Sequence, residues 1–122
     1  MGAPVVHFEI ISKNPDQLQN FFSELFDWKI DTNNPQGYGL IDTQAEGGIP
    51  GGIGGPPPGQ EDYPGHVTFY VMVDDPQKYL DRAEKLGGKT LMPPMEVPGA
   101  AGVTLAMLAD PDGHVIGLTK ST

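Results

Sequence analysis

His66-Val67-Thr68-Phe69-Tyr70-Val71-Met72-Val73-Asp74-Asp75-Pro76-Gln77-Lys78-Tyr79-Leu80-Asp81-Arg82-Ala83-Glu84-Lys85-Leu86-Gly87-Gly88 is the stretch from which the fold follows. Its first eight residues are rich in β-branched and aromatic types, the composition of a strand. Asp75-Pro76 then marks a helix start. An aspartate can cap free amides, and proline suits the first helical position because the N–H it lacks would have no helical partner. Tyr79, Leu80, Ala83 and Leu86 follow at helical spacing. Gly87-Gly88 ends the helix, since glycine tolerates the positive φ found there.

The same order appears earlier in the chain, displaced by 61 residues. Val5-Val6-His7-Phe8-Glu9-Ile10-Ile11 reads as a strand, and Asn14-Pro15 opens a helix capped by Asn14. Leu18, Phe21, Phe22, Leu25 and Phe26 lie on one face of that helix. Three strand-like segments follow each helix: roughly 28–33, 37–43 and 47–54 in the first copy, and 88–93, 102–109 and 113–120 in the second. Asp110-Pro111-Asp112-Gly113 is a turn signal between the last two, and it lacks the twelve-residue ligand pattern of a calcium loop. Both copies therefore read strand, helix, strand, strand, strand. Residues 56–64, rich in proline and polar side chains, form the linker. The expected organisation is a single α+β domain over 1–122, with module one at about 4–55 and module two at about 65–120.

One βαβββ unit leaves one sheet face bare. Two can curve together so that the bare faces of a mixed sheet line a shared cleft. At this point a resemblance becomes visible. The tandem order, the opening His7-Phe8-Glu9-Ile10, the helix end Leu25-Phe26-Asp27-Trp28 and the closing Asp110-Pro111-Asp112-Gly113-His114-Val115-Ile116 resemble the vicinal-oxygen-chelate superfamily. This is the glyoxalase, bleomycin-resistance and dioxygenase group, and the likeness to its glyoxalase-related branch covers essentially the whole chain. It speaks for a fold and not for one reaction.

Composition narrows the function. Seven Lys and Arg against sixteen Asp and Glu give a net charge of -9, which supplies no footprint for nucleic acid or for an anionic membrane surface. No apolar run is long enough to span a bilayer. The N-terminus lacks the pattern of an export signal, and a cytoplasmic location is expected. With no cysteine, thiolate catalysis, disulfides and cysteine-bound zinc are excluded. A chain of 122 residues buries a modest share of its surface, and a homodimer is expected. The expected partner is otherwise a small-molecule ligand.

Strand side chains alternate faces. In the first copy Phe8 and Ile10 face the helix, which turns His7, Glu9 and Ile11 toward the cleft. In the second copy Val67, Phe69, Val71 and Val73 face the helix, which turns His66, Thr68, Tyr70 and Met72 to the cleft. His7 and Glu9 are candidates for proton transfer, and Glu9 is expected to favour the charged form of the imidazole. His66, Thr68 and Tyr70 are candidate cleft-lining groups. His114 is expected in solvent or at a strand end, and Trp28 and Phe26 in packing.

The resemblance implies a divalent ion held by residues from the first and last strand of each copy, polarising a substrate with adjacent oxygens. Those positions fall on His7 and Thr68 in the first strands, and on Gly52 and Gly117 in the last strands. Only His7 carries a family ligand. A tight catalytic site needs about three protein ligands, so the residues disfavour a divalent metal cofactor, and classical dioxygenase chemistry with it. Gly52 and Gly117 are read as removing charge and opening space for a ligand, or as bends in a curved sheet. The glycine-rich run 46–55 lacks the Gly-Lys-Ser/Thr of a phosphate loop. Met92–Gly102 is read as a long connection that could partly cover the cleft.

Two functional classes remain open. One is an enzyme, a glyoxalase-like lyase or isomerase acting on a small oxygenated molecule through His7 and Glu9. The other is a bleomycin-resistance-type protein that binds a small molecule or drug without chemistry. A regulatory dimer with no small ligand is a third reading. The sequence does not decide whether the chain is an enzyme.

Overall fold

The computed structural model describes residues 2–97 and 102–121. The element order is β1 (Val5–Ile11), α1 (Pro15–Phe26), β2 (Lys29–Asp31), β3 (Gly39–Asp42), β4 (Gly51–Gly54), β5 (His66–Met72), α2 (Pro76–Lys85), β6 (Lys89–Glu96), β7 (Val103–Ala109) and β8 (Val115–Ser121). It is βαβββ twice over, an α+β fold. The residues group into two compact units. His7–Val67 forms one, and the residues up to Val6 join those from Thr68 onward in the other.

In the first module the strand order is β2-β3-β4-β1. β1 and β4 run parallel, with Phe8 opposite Gly51 and Glu9 opposite Gly52. The other neighbours are antiparallel. Ile10, Ile41 and Ile53 form the core, joined by Phe8, Leu18, Phe22, Trp28 and Ile30. Phe8 and Ile10 thus face α1, as their alternation predicts. α1 starts at Pro15, but Asn14 gives no side-chain cap; its own N–H instead meets the Ser12 hydroxyl at 2.9 Å. Gln19 is buried and donates to the Ile53 carbonyl at 3.1 Å, tying helix to sheet.

The expected apolar face of α1 is only partly covered. Leu18 and Phe22 pack inward, whereas Phe21, Leu25 and Phe26 are 53%, 57% and 51% exposed. The two phenylalanine rings pack within the helix and its end: Phe21 lies edge-on against Phe22, and Phe26 lies 5.0 Å from Trp28.

The second module has the order β5-β8-β7-β6. β5 and β8 are parallel, with Tyr70 opposite Gly117. Val73, Leu80, Ala106 and Leu118 form its core, with Val71 and Leu108 alongside. Asp75 caps α2 by accepting from the Lys78 amide, and Gly87 follows with φ +100°. Two expected helix-facing residues depart from the pattern: Val67 is 77% and Phe69 41% exposed. The core under α2 takes in Val71 and Val73 at the far end of that stretch and does not extend back to them.

One connection also differs from expectation. Met92–Glu96, read as part of a loop, belongs to strand β6. The pairing with β7 is irregular between Thr90 and Met95, which accommodates Pro93 and Pro94, residues with no amide to donate to a ladder. The remainder of that expected loop, 98–101, lies outside the described residues. Asp110 closes the predicted turn by accepting from the amides of Asp112 and His114, and the exposed His114 ring lies 2.9 Å from its carboxyl group. Those bonds hold the Asp110 carboxyl below its usual range.

Candidate functional site

Strand alternation places His7 and Glu9 on the face of β1 turned away from α1. Glu9 is buried, at 9% exposure. Two side chains of the same compact unit reach it directly, and two more reach it through them. The Tyr38 hydroxyl donates to Glu9 Oε2 at 2.9 Å. His66 Nε2 lies 3.4 Å from Glu9 Oε1. Tyr63 Oη, from the linker, lies 2.5 Å from His66 Nδ1. His7 Nε2 joins from the other side, 3.2 Å from Tyr38 Oη. The result is a chain of five side chains: His7, Tyr38, Glu9, His66, Tyr63.

Proton counting fixes part of the arrangement. Tyr38 has one hydroxyl proton, and it is directed at Glu9. The bond to His7 therefore requires His7 to carry its proton on Nε2 and donate to the phenol oxygen. His7 is half-buried, and burial lowers its basicity. Glu9 pulls the other way but does not reverse the shift. The neighbouring carboxylate taken alone would hold this imidazole charged. Desolvation dominates instead, and His7 is neutral near pH 7. Burial, followed by the charge of Glu9, raises the pKa of Tyr63.

Tyr38 was not singled out by the sequence. Its backbone is clamped by one side chain, since Asn34 Nδ2 donates to the Tyr38 carbonyl at 2.6 Å and Asn34 Oδ1 accepts from the Tyr38 amide at 2.9 Å. Gly37, with φ +67°, makes the turn that leads into it. The ring then lies against β4. A Cβ placed on Gly52 would sit 2.0 Å from Tyr38 Oη, and one on Gly54 would sit 2.7 Å from the same ring. On the opposite face of the strand, a Cβ on Gly51 would sit 2.4 Å from the Phe8 ring. The glycines of β4 are thus the seats of two aromatic rings.

The second module repeats the device. A Cβ on Gly117 would meet the Tyr70 ring at 2.4 Å, and Tyr70 itself is buried at 5% exposure. The expectation that Gly52 and Gly117 open space is therefore corrected: tyrosine rings fill that space. Thr68, also buried, donates its hydroxyl to the Val115 carbonyl.

These facts bear on the metal ion that the resemblance implies. Of its four positions, Gly52 and Gly117 have no side chain and are covered by rings, and the Thr68 hydroxyl is committed to a backbone carbonyl. Among the described residues no three His, Cys, Asp or Glu side chains gather as an ion would require. The residues present do not fit a divalent ion at these positions.

A family model described as the Glyoxalase/Bleomycin resistance protein/Dioxygenase superfamily matches residues 5–118. Proteins of Mycobacterium bovis and Mycobacterium tuberculosis, each named "Putative glyoxylase CFP32", are 32% identical over 106 residues, or 84% of this chain and 40% of theirs. The chain thus spans about two fifths of the length of these curated relatives. Among solved structures, a superfamily member from Vibrio splendidus aligns with a TM-score of 0.65 at 16% identity, over 98% of this chain and 100% of that one. Methylmalonyl-CoA epimerase from Mycobacterium tuberculosis aligns with a TM-score of 0.64 at 13% identity, over 97% of this chain and 87% of that one. At such identities the structural likeness concerns the fold alone.

Proposed function

This chain belongs to the Glyoxalase/Bleomycin resistance protein/Dioxygenase superfamily, and on that footing we propose that it binds a small oxygenated molecule beside Glu9 and moves a proton on it, as a glyoxalase-like lyase or isomerase. The observation that carries this reading is the hydrogen-bonded chain from His7 through Tyr38, Glu9 and His66 to Tyr63. A neutral imidazole and a buried carboxyl group joined by a phenol can accept and return a proton without drawing on bulk water. The name borne by the mycobacterial relatives, glyoxylase, supports the same reaction class. The proposal takes the chain as one cytoplasmic domain. It includes a homodimer, in which a second copy would cover apolar side chains such as Leu25 and Leu86, which are 57% and 70% exposed.

The test is exchange with solvent. Small hydroxyketones and thioesters are incubated with the protein in deuterium oxide, and deuterium at the carbon beside the carbonyl is followed by NMR. Wild type is expected to incorporate it, with the rate falling at least about 100-fold in Glu9→Gln and in His7→Ala. Equal rates in all three proteins would sink the reading. A second reading, sequestration without chemistry, draws support from the phenol rings of Tyr38 and Tyr63, which give a planar ligand surfaces to stack on. A compound that raises the melting temperature yet exchanges no proton would favour it.

A further inference from the structure

We infer that Tyr38 is a positioning residue that makes this a proton-passing site for an uncharged ligand oxygen, occupying the space over Gly52 where a side chain on the strand would otherwise stand. The inference rests on the proton-transfer reading above and adds to it the residue that couples its two ends.

Three observations meet at this side chain. Its ring fills the place of any side chain at position 52. Its backbone is held at two points by Asn34. Its hydroxyl lies between His7 Nε2 and Glu9 Oε2, at 3.2 and 2.9 Å. A proton taken from the carbon beside a ligand carbonyl by a His7 that carries its own proton on Nε2 makes an imidazolium and leaves the ligand as its enolate. That ring can then release its Nε2 proton to the Tyr38 oxygen while the phenol passes its own proton to Glu9. The imidazole ends neutral with its tautomer reversed, the phenol is unchanged, and the carboxylate has become a carboxylic acid. Atoms and charge balance without a metal ion or a redox partner. The five linked side chains include no Lys or Arg, so they offer no permanent cation to a phosphate or carboxylate. They suit a carbonyl or hydroxyl oxygen.

The experiment compares wild type with Tyr38→Phe, which keeps the ring over Gly52 and removes only the hydroxyl. Ring nitrogens of 15N-labelled histidine are read by NMR at neutral pH, with the exposed His114 as an internal reference for intact folding. In wild type, His7 is expected to be neutral with its proton on Nε2. In Tyr38→Phe the His7 nitrogens are expected to shift toward mixed tautomers while His114 stays in place, and deuterium exchange into hydroxyacetone is expected to drop about 10-fold or more. His7 signals that coincide in the two proteins would overturn the inference. So would a measurable wild-type exchange rate that Tyr38→Phe leaves unchanged while the His7 signals shift. If wild type exchanges no proton at all while the His7 signals still respond to Tyr38→Phe, the proton-transfer reading fails and the hold of Tyr38 on His7 stands.

Discussion

Adding one methyl group at Gly52 should cost stability only while Tyr38 is present. The Cβ of Gly52→Ala would fall 2.0 Å from Tyr38 Oη and 2.1 Å from two ring carbons, well inside contact distance, so the ring must leave. Two estimates of the cost agree. Overpacking of this kind costs about 1–3 kcal/mol. Breaking the two hydroxyl hydrogen bonds, at about 0.5–1.5 kcal/mol each, falls in the same range. Against this, alanine restricts the unfolded chain and returns about 0.4–1 kcal/mol where the backbone permits it, and Gly52 does not have the positive φ that would forbid it. The net loss expected for Gly52→Ala is about 1–2 kcal/mol. In a Tyr38→Ala background the clash is gone, and the same change should stabilise by about 0.5 kcal/mol. Urea denaturation of the four proteins of this cycle gives the coupling directly, expected near 2 kcal/mol. Additive effects, with a coupling under about 0.5 kcal/mol, would show that Gly52 is not the seat of the ring.

Gly117→Ala tests the same device in the second module. The added Cβ meets the Tyr70 ring at 2.4 Å, and a loss of about 1–3 kcal/mol is expected by thermal or urea unfolding; a stabilised variant would refute the packing. The pH dependence of stability follows from His7. Its basicity is lowered from the ordinary 6.5 in the folded chain, so below that value the unfolded chain binds the extra proton first. The His7 contribution is therefore fully present above about pH 6.5 and is lost as the pH falls toward the lower folded value. Between about pH 7.5 and 5.5, wild type should lose more stability than His7→Gln in urea titrations. Parallel curves would remove the burial argument.

Much of the fold is legible because it rests on local chemistry. Asn14-Pro15 and Asp75-Pro76 mark the helix starts at Pro15 and Pro76. The alternation around Phe8 and Ile10 places His7 and Glu9 together on the other face. The central tyrosine is not legible, for a physical reason. Tyr38 follows a turn rich in asparagine, proline and glycine and belongs to no periodic pattern. It reaches residues 29 and 31 positions away only through the pairing of β3 with β4 and of β4 with β1. The one available signal was the run Gly51-Gly52-Ile53-Gly54: glycines where side chains are expected imply that rings from neighbouring strands cover them. Val67 and Phe69 are exposed although alternation gives them the helix side, because alternation tells which face a residue takes but not how far a helix extends over it.

The account turns on a site that works with protons and not with a bound ion. The direct measurement is metal content of the purified protein, followed by calorimetric titration of zinc, nickel, manganese and iron(II) into wild type and His7→Ala. Heats at background in both proteins are predicted, because tyrosine rings cover Gly52 and Gly117 and the Thr68 hydroxyl is bonded to Val115. Tight one-to-one binding in wild type that disappears in His7→Ala would contradict the account and return the site to metal chemistry.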